Sequence, residues 1–237
     1  MIVFHNRDII APNRRELLWG LICWICYMIV FPLAFSMSGF FAEDSLRSQF
    51  LYNLSVSVSS FLLVLFLFKD FLFRCRVPFL LIVLTCFFGY IGIMGLDSLM
   101  GLVLSFLLPL LKEEPVNMNQ ELVNSFLYAY KGAMIVDVAL LAPVIEEILF
   151  RGVIFAPLCK KSPFWAYTVS MTVFSALHVT AYIGQQHWSV LLFSFLQYLP
   201  AGFVLCWSYQ RSRSIWPPIA LHGIMNLLSA IAILAMA

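Results

Sequence analysis

The stretch APVIEEILFRGVIF, residues 142–155, places two glutamates and an arginine in a run that is otherwise almost wholly apolar. A charged side chain at bilayer depth costs at least about 2.5–3.5 kcal/mol to insert, so such residues normally face a bundle interior or a wet cavity. In an α-helix Glu147 and Arg151 are neighbours at i,i+4, whereas Glu146 lies about 140° around the axis from Arg151. Pro143 removes one helix hydrogen bond just before them. The pattern predicts a local Glu147–Arg151 ion pair and a Glu146 side chain that points elsewhere.

The composition of the chain is that of a membrane protein. Of 237 residues, 62% are hydrophobic and 11% are charged, against roughly 25% charged residues in an ordinary soluble domain. The net charge of +2 is too small to indicate a nucleic-acid partner. The six cysteines lie in or beside apolar runs, which predicts packing roles and no disulfide framework.

Apolar runs of about 20 residues can cross a hydrocarbon core about 30 Å thick, and they divide the chain into about seven predicted transmembrane helices. These are Leu17–Phe41, Phe50–Phe68, Pro78–Leu96, Ala129–Leu158, Pro163–Ile183, Trp188–Tyr209 and Ile215–Met236. The run Asp97–Leu111 is short for a crossing, and we expect it to lie at the interface; counting it would make eight helices. The sequence thus predicts an all-α, polytopic membrane helix bundle.

Lysines and arginines in the short connecting segments predict the orientation, because cytoplasmic loops are enriched in both residues. They cluster in the N-terminal arm and after the second, fourth and sixth spans: Arg7, Arg14 and Arg15; Lys69, Arg74 and Arg76; Lys160 and Lys161; Arg211 and Arg213. We expect these four segments to share the cytoplasmic side, with the N-terminus cytoplasmic. Short loops favour a bacterial cell membrane, and they do not exclude the endoplasmic reticulum.

Two histidines, His178 and His222, also fall within predicted helices. At 1.5 Å per residue from the cytoplasmic end of each helix, they lie with Glu146 and Asn226 about 10–22 Å deep, in one broad layer. A carboxylate and a histidine can hold and deprotonate water, and a second histidine with an asparagine amide can donate to a developing oxyanion. The layer therefore contains the groups that amide hydrolysis requires.

Three motifs carry a resemblance to a known family. EEILFR (146–151), FSALH (174–178) and HGIMN (222–226) are similar to the EExxxR, FxxxH and HxxxN motifs of the CAAX protease and bacteriocin-processing family of intramembrane endopeptidases, also called the Abi family. The resemblance covers roughly residues 139–230. It implies a catalytic helix bundle within residues 126–237, built from the C-terminal four helices, after N-terminal transmembrane helices and loops at 1–125.

The resemblance also implies a role for each motif residue. These roles are water activation by Glu146 and His178, oxyanion stabilisation by His222 and Asn226, and support of Glu146 by Glu147 and Arg151. Members of the family are often labelled metalloproteases, and one glutamate with two histidines suits zinc. No HExxH motif or thiolate lies near these positions, however. We therefore favour a metal-free glutamate protease, with zinc as the open alternative.

Other interpretations of the same residues stay open. The ionisable groups can be a structural ion pair with a glutamate that reaches the interface, or they can belong to a non-catalytic immunity or regulatory protein that binds a peptide or a sensor partner. A small transporter is a third option, but no inverted repeat is evident. Under the protease interpretation, the partners are the lipid bilayer and a hydrophobic or membrane-bound peptide or protein substrate. No residue identifies that substrate.

Several further polar or small residues within the spans are expected to be structural. Asp137 and Lys131 are expected to satisfy each other or to reach the interface. Gly152, Gly202 and Gly223 are expected to let helices approach closely.

Overall fold

The structure is a computed structural model that describes residues 9–39, 41, 45–107 and 116–236. Every regular element in these ranges is a helix, and we number eight of them in chain order. They are α1, Arg14–Met37; α2, Leu46–Arg74; α3, Phe79–Leu107; α4, Met118–Ala129; α5, 131–159; α6, Pro163–Thr180; α7, Trp188–Ser212; and α8, Trp216–Ala235. The predicted all-α polytopic membrane bundle is confirmed.

Five of the described helices, α1, α2, α3, α7 and α8, are long and apolar enough to cross a membrane. The helices α5 and α6, which the sequence also predicts as spans, are not among the five. In α5 the residues 143–152 are all buried. The charged side chains of the first motif are therefore enclosed by other helices of the bundle.

The predicted end of the third span at Leu96 is wrong, whereas the expected interfacial position of Asp97–Leu111 stays a prediction. Residues 97–107 continue α3 without a break, and residues 108–111 lie outside the described ranges. The stretch 97–107 has no proline, and a helix-interior glycine such as Gly101 costs only about 1 kcal/mol. A helix of 29 residues is about 44 Å long, so it can cross the membrane at a tilt and extend beyond the hydrocarbon core.

The helix α4 occupies a segment that the predicted spans leave almost wholly uncovered. Asn117 begins it by accepting a hydrogen bond from the Gln120 N–H at 3.2 Å, which is a common way to satisfy a free donor at a helix start. The predicted domain boundary between residues 125 and 126 falls inside α4.

Three of the four basic segments meet at one end of the bundle. Arg74, at the end of α2, donates two hydrogen bonds to Glu16, at the start of α1, at 2.9 and 2.6 Å. The Tyr209 hydroxyl, near the end of α7, donates to the Ile10 carbonyl in the N-terminal arm at 2.6 Å. This arrangement agrees with the predicted grouping of basic segments. Which end faces the cytoplasm stays a prediction.

Three wide turns interrupt the α-helical bonding of α1 and α5. They are the π-helical segments Cys26–Val30, Asp137–Leu141 and Ile148–Phe155, and each ends two residues before a proline, Pro32, Pro143 or Pro157. A proline lacks the N–H that an α-helix needs, and its ring clashes with the carbonyl four residues earlier. A turn widened to i→i+5 bonding relieves that clash.

The turn before Pro143 exposes a main-chain carbonyl to α8. The Ala142 N–H bonds to the Asp137 carbonyl, and Pro143 has no N–H to offer to the Val138 carbonyl. Asn226 of α8 supplies the missing donor through Nδ2, at 2.8 Å. A buried carbonyl without a partner is costly, so this hydrogen bond helps to fix α8 against α5.

Gly223 allows the same two helices to approach closely. A Cβ atom at this position would press into the Ala139 carbonyl oxygen of α5. Gly202 is similarly close to α6, since a Cβ there would lie 3.1 Å from the Cβ of Met171. A Cβ at Gly152 would lie 3.4 Å from the Phe71 ring of α2. The packing role expected for these glycines is confirmed at Gly223 and Gly202, whereas a Cβ at Gly152 would make an ordinary van der Waals contact.

The contact between Gly223 and Ala139 yields a stability prediction. We expect Gly223→Ala to destabilise the protein by about 1–3 kcal/mol, because overpacking at a rigid backbone contact forces α8 away from α5. The measurement is the thermal unfolding midpoint of the purified protein in detergent. Gly95→Ala is the matched control, since a Cβ at Gly95 meets nothing within 4 Å. A Gly223→Ala midpoint equal to that of the control would contradict the proposed contact.

Candidate active site

Glu147 is a fully buried carboxylate that shares one oxygen between two partners. Its Oε1 accepts a hydrogen bond from Arg151 Nη1 at 2.8 Å and pairs with His222 Nδ1 at 2.8 Å. The side chains of Glu147 and Arg151 are both 0% exposed. A buried charge is tolerated only when it is paired and hydrogen-bonded. The predicted Glu147–Arg151 pair is confirmed, and the structure adds His222 as a second partner.

Arg151 connects this carboxylate to two further helices. Its Nη2 donates to the Gly202 carbonyl of α7 at 3.2 Å. Its guanidinium carbon lies 4.4 Å from the centre of the Phe174 ring on α6, within the range of a cation–π contact. The planar guanidinium can make these contacts together, which a lysine ammonium cannot. Arg151 therefore holds α5, α6 and α7 in one arrangement.

Glu146 and His178 form a second pair of facing side chains, separate from this ion pair. Their nearest atoms, Glu146 Oε2 and His178 Nε2, are 4.0 Å apart, which is too far for a direct hydrogen bond. Glu146 is 8% exposed, and its Oε2 has no hydrogen-bond partner among the described residues. The gap is suited to a small molecule that bonds to both groups.

The hydrogen-bond partners of the two histidines determine their protonation pattern. His178 Nδ1 lies 2.9 Å from the Phe174 carbonyl, and His222 Nδ1 bonds to the Glu147 carboxylate. Carbonyl and carboxylate oxygens only accept, so Nδ1 carries the proton in both rings. In a neutral ring Nε2 is then an acceptor, and in a cationic ring it is a donor.

A cavity of about 340 Å³ joins the predicted catalytic residues. Its walls include Glu146 of α5, His178 of α6, and His222 and Asn226 of α8. Cavities of roughly 300–1,000 Å³ are typical of ligand sites. The structure thus brings the four predicted residues to one space, as the shared depth in the sequence indicates.

Glu147 and Arg151 are expected to support Glu146, but their side-chain hydrogen bonds involve His222 instead. Neither side chain hydrogen-bonds to Glu146 within the described part of the chain; both belong to the group that holds His222. A helical projection places Glu147 beside Arg151, but it contains no information about α8. The contact between Glu147 and His222 depends on tertiary packing.

Two cavity residues are missing from the sequence prediction. Tyr198 of α7 stacks on the His178 ring, with ring centres 4.2 Å apart, and it belongs to no motif. Asp137 lines the cavity and forms no ion pair with Lys131, which was one of the two roles expected for it. The sequence does show Asp137 as a carboxylate within an apolar helix. It was expected to pair with Lys131 or to reach the interface, so it was not included in the predicted site.

No group of three His, Cys, Asp or Glu side chains in the described ranges is close enough to hold a metal ion. The bond from His222 Nδ1 to the Glu147 carboxylate is compatible with either role of this ring, because histidines that ligate a metal commonly make such a bond through their other nitrogen. Metal dependence therefore stays a prediction.

Comparison with protein families gives one match. A model described as Type II CAAX prenyl endopeptidase Rce1-like matches residues 128–228. This range contains all three motifs and the whole of α5, α6 and α7. No solved structure matches the chain significantly.

Two curated bacterial proteins are similar to part of the chain. "Putative membrane peptidase YdiL" of Bacillus subtilis (strain 168) is 33% identical over 94 residues, which are 39% of this chain and 34% of that protein. "UPF0177 protein YbdJ" of Lactococcus lactis subsp. lactis (strain IL1403) is 30% identical over 93 residues, 39% of this chain and 36% of that protein. The matches span about a third of the length of each relative.

The three motifs, their common cavity and the family match concern the same helices. Residues 128–228 of this multi-pass membrane protein are therefore similar to the Rce1-like type II CAAX prenyl endopeptidase family.

Proposed function

We propose that this chain is an intramembrane endopeptidase that hydrolyses peptide bonds of hydrophobic or membrane-bound peptides. The observation that carries the proposal is the pair Glu146 and His178, which face each other across 4.0 Å in a cavity. A buried carboxylate without a partner is costly, so proteins retain one mainly where function requires it. The family match and the printed name of the Bacillus relative support the same reaction class.

In the proposed reaction a water molecule binds between Glu146 and His178. The Glu146 carboxylate accepts one proton of the water and acts as the general base, while His178 Nε2 accepts a second hydrogen bond and orients the oxygen. The Phe174 carbonyl supports this role, because it keeps the His178 proton on Nδ1. As the water oxygen attacks the peptide carbonyl carbon, Glu146 becomes protonated. It then returns the proton to the leaving amine as the C–N bond breaks.

The oxyanion of the tetrahedral intermediate would form near His222 and Asn226. His222 can donate from Nε2 only as an imidazolium, and the Glu147 carboxylate at 2.8 Å stabilises that cation. Asn226 gives one amide hydrogen to the Val138 carbonyl and has a second hydrogen for the cavity. Donors fixed in advance by such partners lower the barrier most effectively.

This mechanism needs no metal, since a carboxylate and a histidine activate the water and two side chains stabilise the oxyanion. It differs from a zinc mechanism in the state that it requires of His222, which must be a hydrogen-bond donor and cannot also be a ligand through Nε2. It differs from a non-catalytic immunity or regulatory role because it requires turnover. Both differences can be measured.

Our first functional prediction concerns the water-activating pair. Glu146→Gln and His178→Ala should each lower cleavage by about 10²–10⁴-fold, the usual contribution of a general base. The assay is mass spectrometry of a synthetic library of apolar peptides incubated with the purified protein in nanodiscs. Glu121→Gln is the matched carboxylate control, because Glu121 is exposed and does not line the cavity. Cleavage by Glu146→Gln at the wild-type rate would refute the mechanism, and no cleavage by any form would favour the non-catalytic role.

A second prediction separates the buried ion pair from the reaction. Arg151→Ala should lower the free energy of unfolding by about 3–5 kcal/mol, because it leaves the Glu147 carboxylate buried without its cation. Glu147→Gln should lower the free energy of unfolding less than Arg151→Ala does. It should also reduce the cleavage rate, because His222 loses its carboxylate partner. Thermal unfolding and cleavage are measured on both variants. The assignment fails if Arg151→Ala unfolds at the wild-type temperature.

A third prediction tests the oxyanion and metal assignments together. Asn226→Ala should lower turnover by about 10²–10³-fold with little effect on substrate binding, as loss of one oxyanion donor does. The loss of its bond to Val138 should also cost about 1–3 kcal/mol of stability. Chelators should not affect the wild type. Stoichiometric zinc that follows activity through removal and re-addition would instead assign His222 as a metal ligand.

A further inference from the structure

The cavity contains a second carboxylate, Asp137, that the proposed reaction does not use. Its Oδ1 has no hydrogen-bond partner among the described residues. Asp137 and Glu146 both line the cavity, so two carboxylates face the same space. Burial of an unpaired carboxylate is unfavourable, so its position calls for a partner of opposite charge.

No such partner is present on the described cavity walls. The wall residues come from α1, α2, α4, α5, α6, α7 and α8, and they include no lysine and no arginine. The ionisable groups that face the space are two carboxylates, two imidazoles and two phenols, from Asp137, Glu146, His178, His222, Tyr27 and Tyr198. A cation that enters the cavity would therefore gain a partner, whereas an anion would meet like charge.

We infer that Asp137 forms a subsite for a basic side chain of the peptide substrate. This inference rests on the proposed function, since it assigns the chemistry of what enters the same cavity. A lysine ammonium or an arginine guanidinium would donate to the Asp137 carboxylate where it lines the cavity, and such charge-assisted hydrogen bonds are about twice as strong as neutral ones. The apolar walls would accept the methylene groups of the same side chain.

The spacing along α5 defines how far this subsite lies from the reacting bond. Asp137 and Glu146 are separated by about 13 Å or less along the helix axis at 1.5 Å per residue. An extended peptide covers that length with about three or four residues. We therefore place the basic residue about three or four positions from the bond that Glu146 attacks.

The test measures binding, and it does not depend on turnover. Three fluorescent nonapeptides of alanine and leucine, with blocked ends, differ only in a central lysine, glutamine or glutamate. Their dissociation constants are measured on the full chain in nanodiscs. We expect wild type to bind the lysine peptide about tenfold more tightly than the glutamine peptide, the usual effect of one charged hydrogen bond, and to bind the glutamate peptide most weakly.

Substitutions then locate the preference. Asp137→Asn should bind the lysine and glutamine peptides equally, and Asp137→Ser serves the same purpose if the first variant does not fold. Glu121→Gln, which removes an exposed carboxylate outside the cavity, should retain the wild-type preference. Equal binding of the three peptides by wild type, no binding of any of them, or a lysine preference that survives both Asp137 variants would overturn the inference.

Cleavage of the peptide library, with Glu146→Gln as the blank, distinguishes failure of this inference from failure of the proposed function. A lysine preference without cleavage would support the subsite and refute the protease. Cleavage without any enrichment of lysine or arginine near the cut bonds would support the protease and refute the subsite.

Discussion

The Glu147 carboxylate is the centre around which the C-terminal helices are arranged. It has no access to solvent, so its charge must be compensated from within the protein. The compensation comes from Arg151 on the same helix and from His222 on α8. Arg151 also contacts the Gly202 carbonyl of α7 and the Phe174 ring of α6. One buried charge thus determines the relative positions of four helices, and the cavity lies beside it.

The second requirement is a partner for each main-chain carbonyl that Pro143 leaves without a helix bond. Asn226 bonds to the Val138 carbonyl, and Gly223 makes room for the Ala139 carbonyl. These contacts and the Glu147–His222 bond all involve one short part of α8. Each residue of HGIMN that the family motif names therefore has a structural task, and His222 and Asn226 also face the cavity. Structural and chemical roles are combined in the same side chains.

The sequence predicted the features that depend on composition or on spacing within one helix. Apolar length identified the long spans, and the i,i+4 rule identified the Glu147–Arg151 pair. Depth along each helix placed Glu146, His178 and His222 in one layer, and the cavity contains all three. These successes share a cause, because helix geometry converts sequence separation directly into distance.

Features that depend on contacts between helices could not be predicted in the same way. The bond between His222 and Glu147 requires α8 to lie against α5, and the stacking of Tyr198 on His178 requires α7 to lie against α6. The end of α3 was predicted too early, because the run Asp97–Leu111 was treated as a separate segment that is short for a crossing. Residues 97–107 instead continue the preceding helix.

The wide turn at Asp137–Leu141 also sets the rotational phase of α5. In an ideal α-helix, residues 137 and 146 would be about 180° apart, at 100° per residue, and would face opposite directions. A π-helical turn accommodates about one extra residue, which reduces that difference to roughly 80°. Asp137 and Glu146 can therefore face the same cavity. Deletion of one residue in this turn would restore regular α-helical bonding and keep the preceding side chains in phase with the site, whereas a regular α-helix of the present length would turn them away by about 100°.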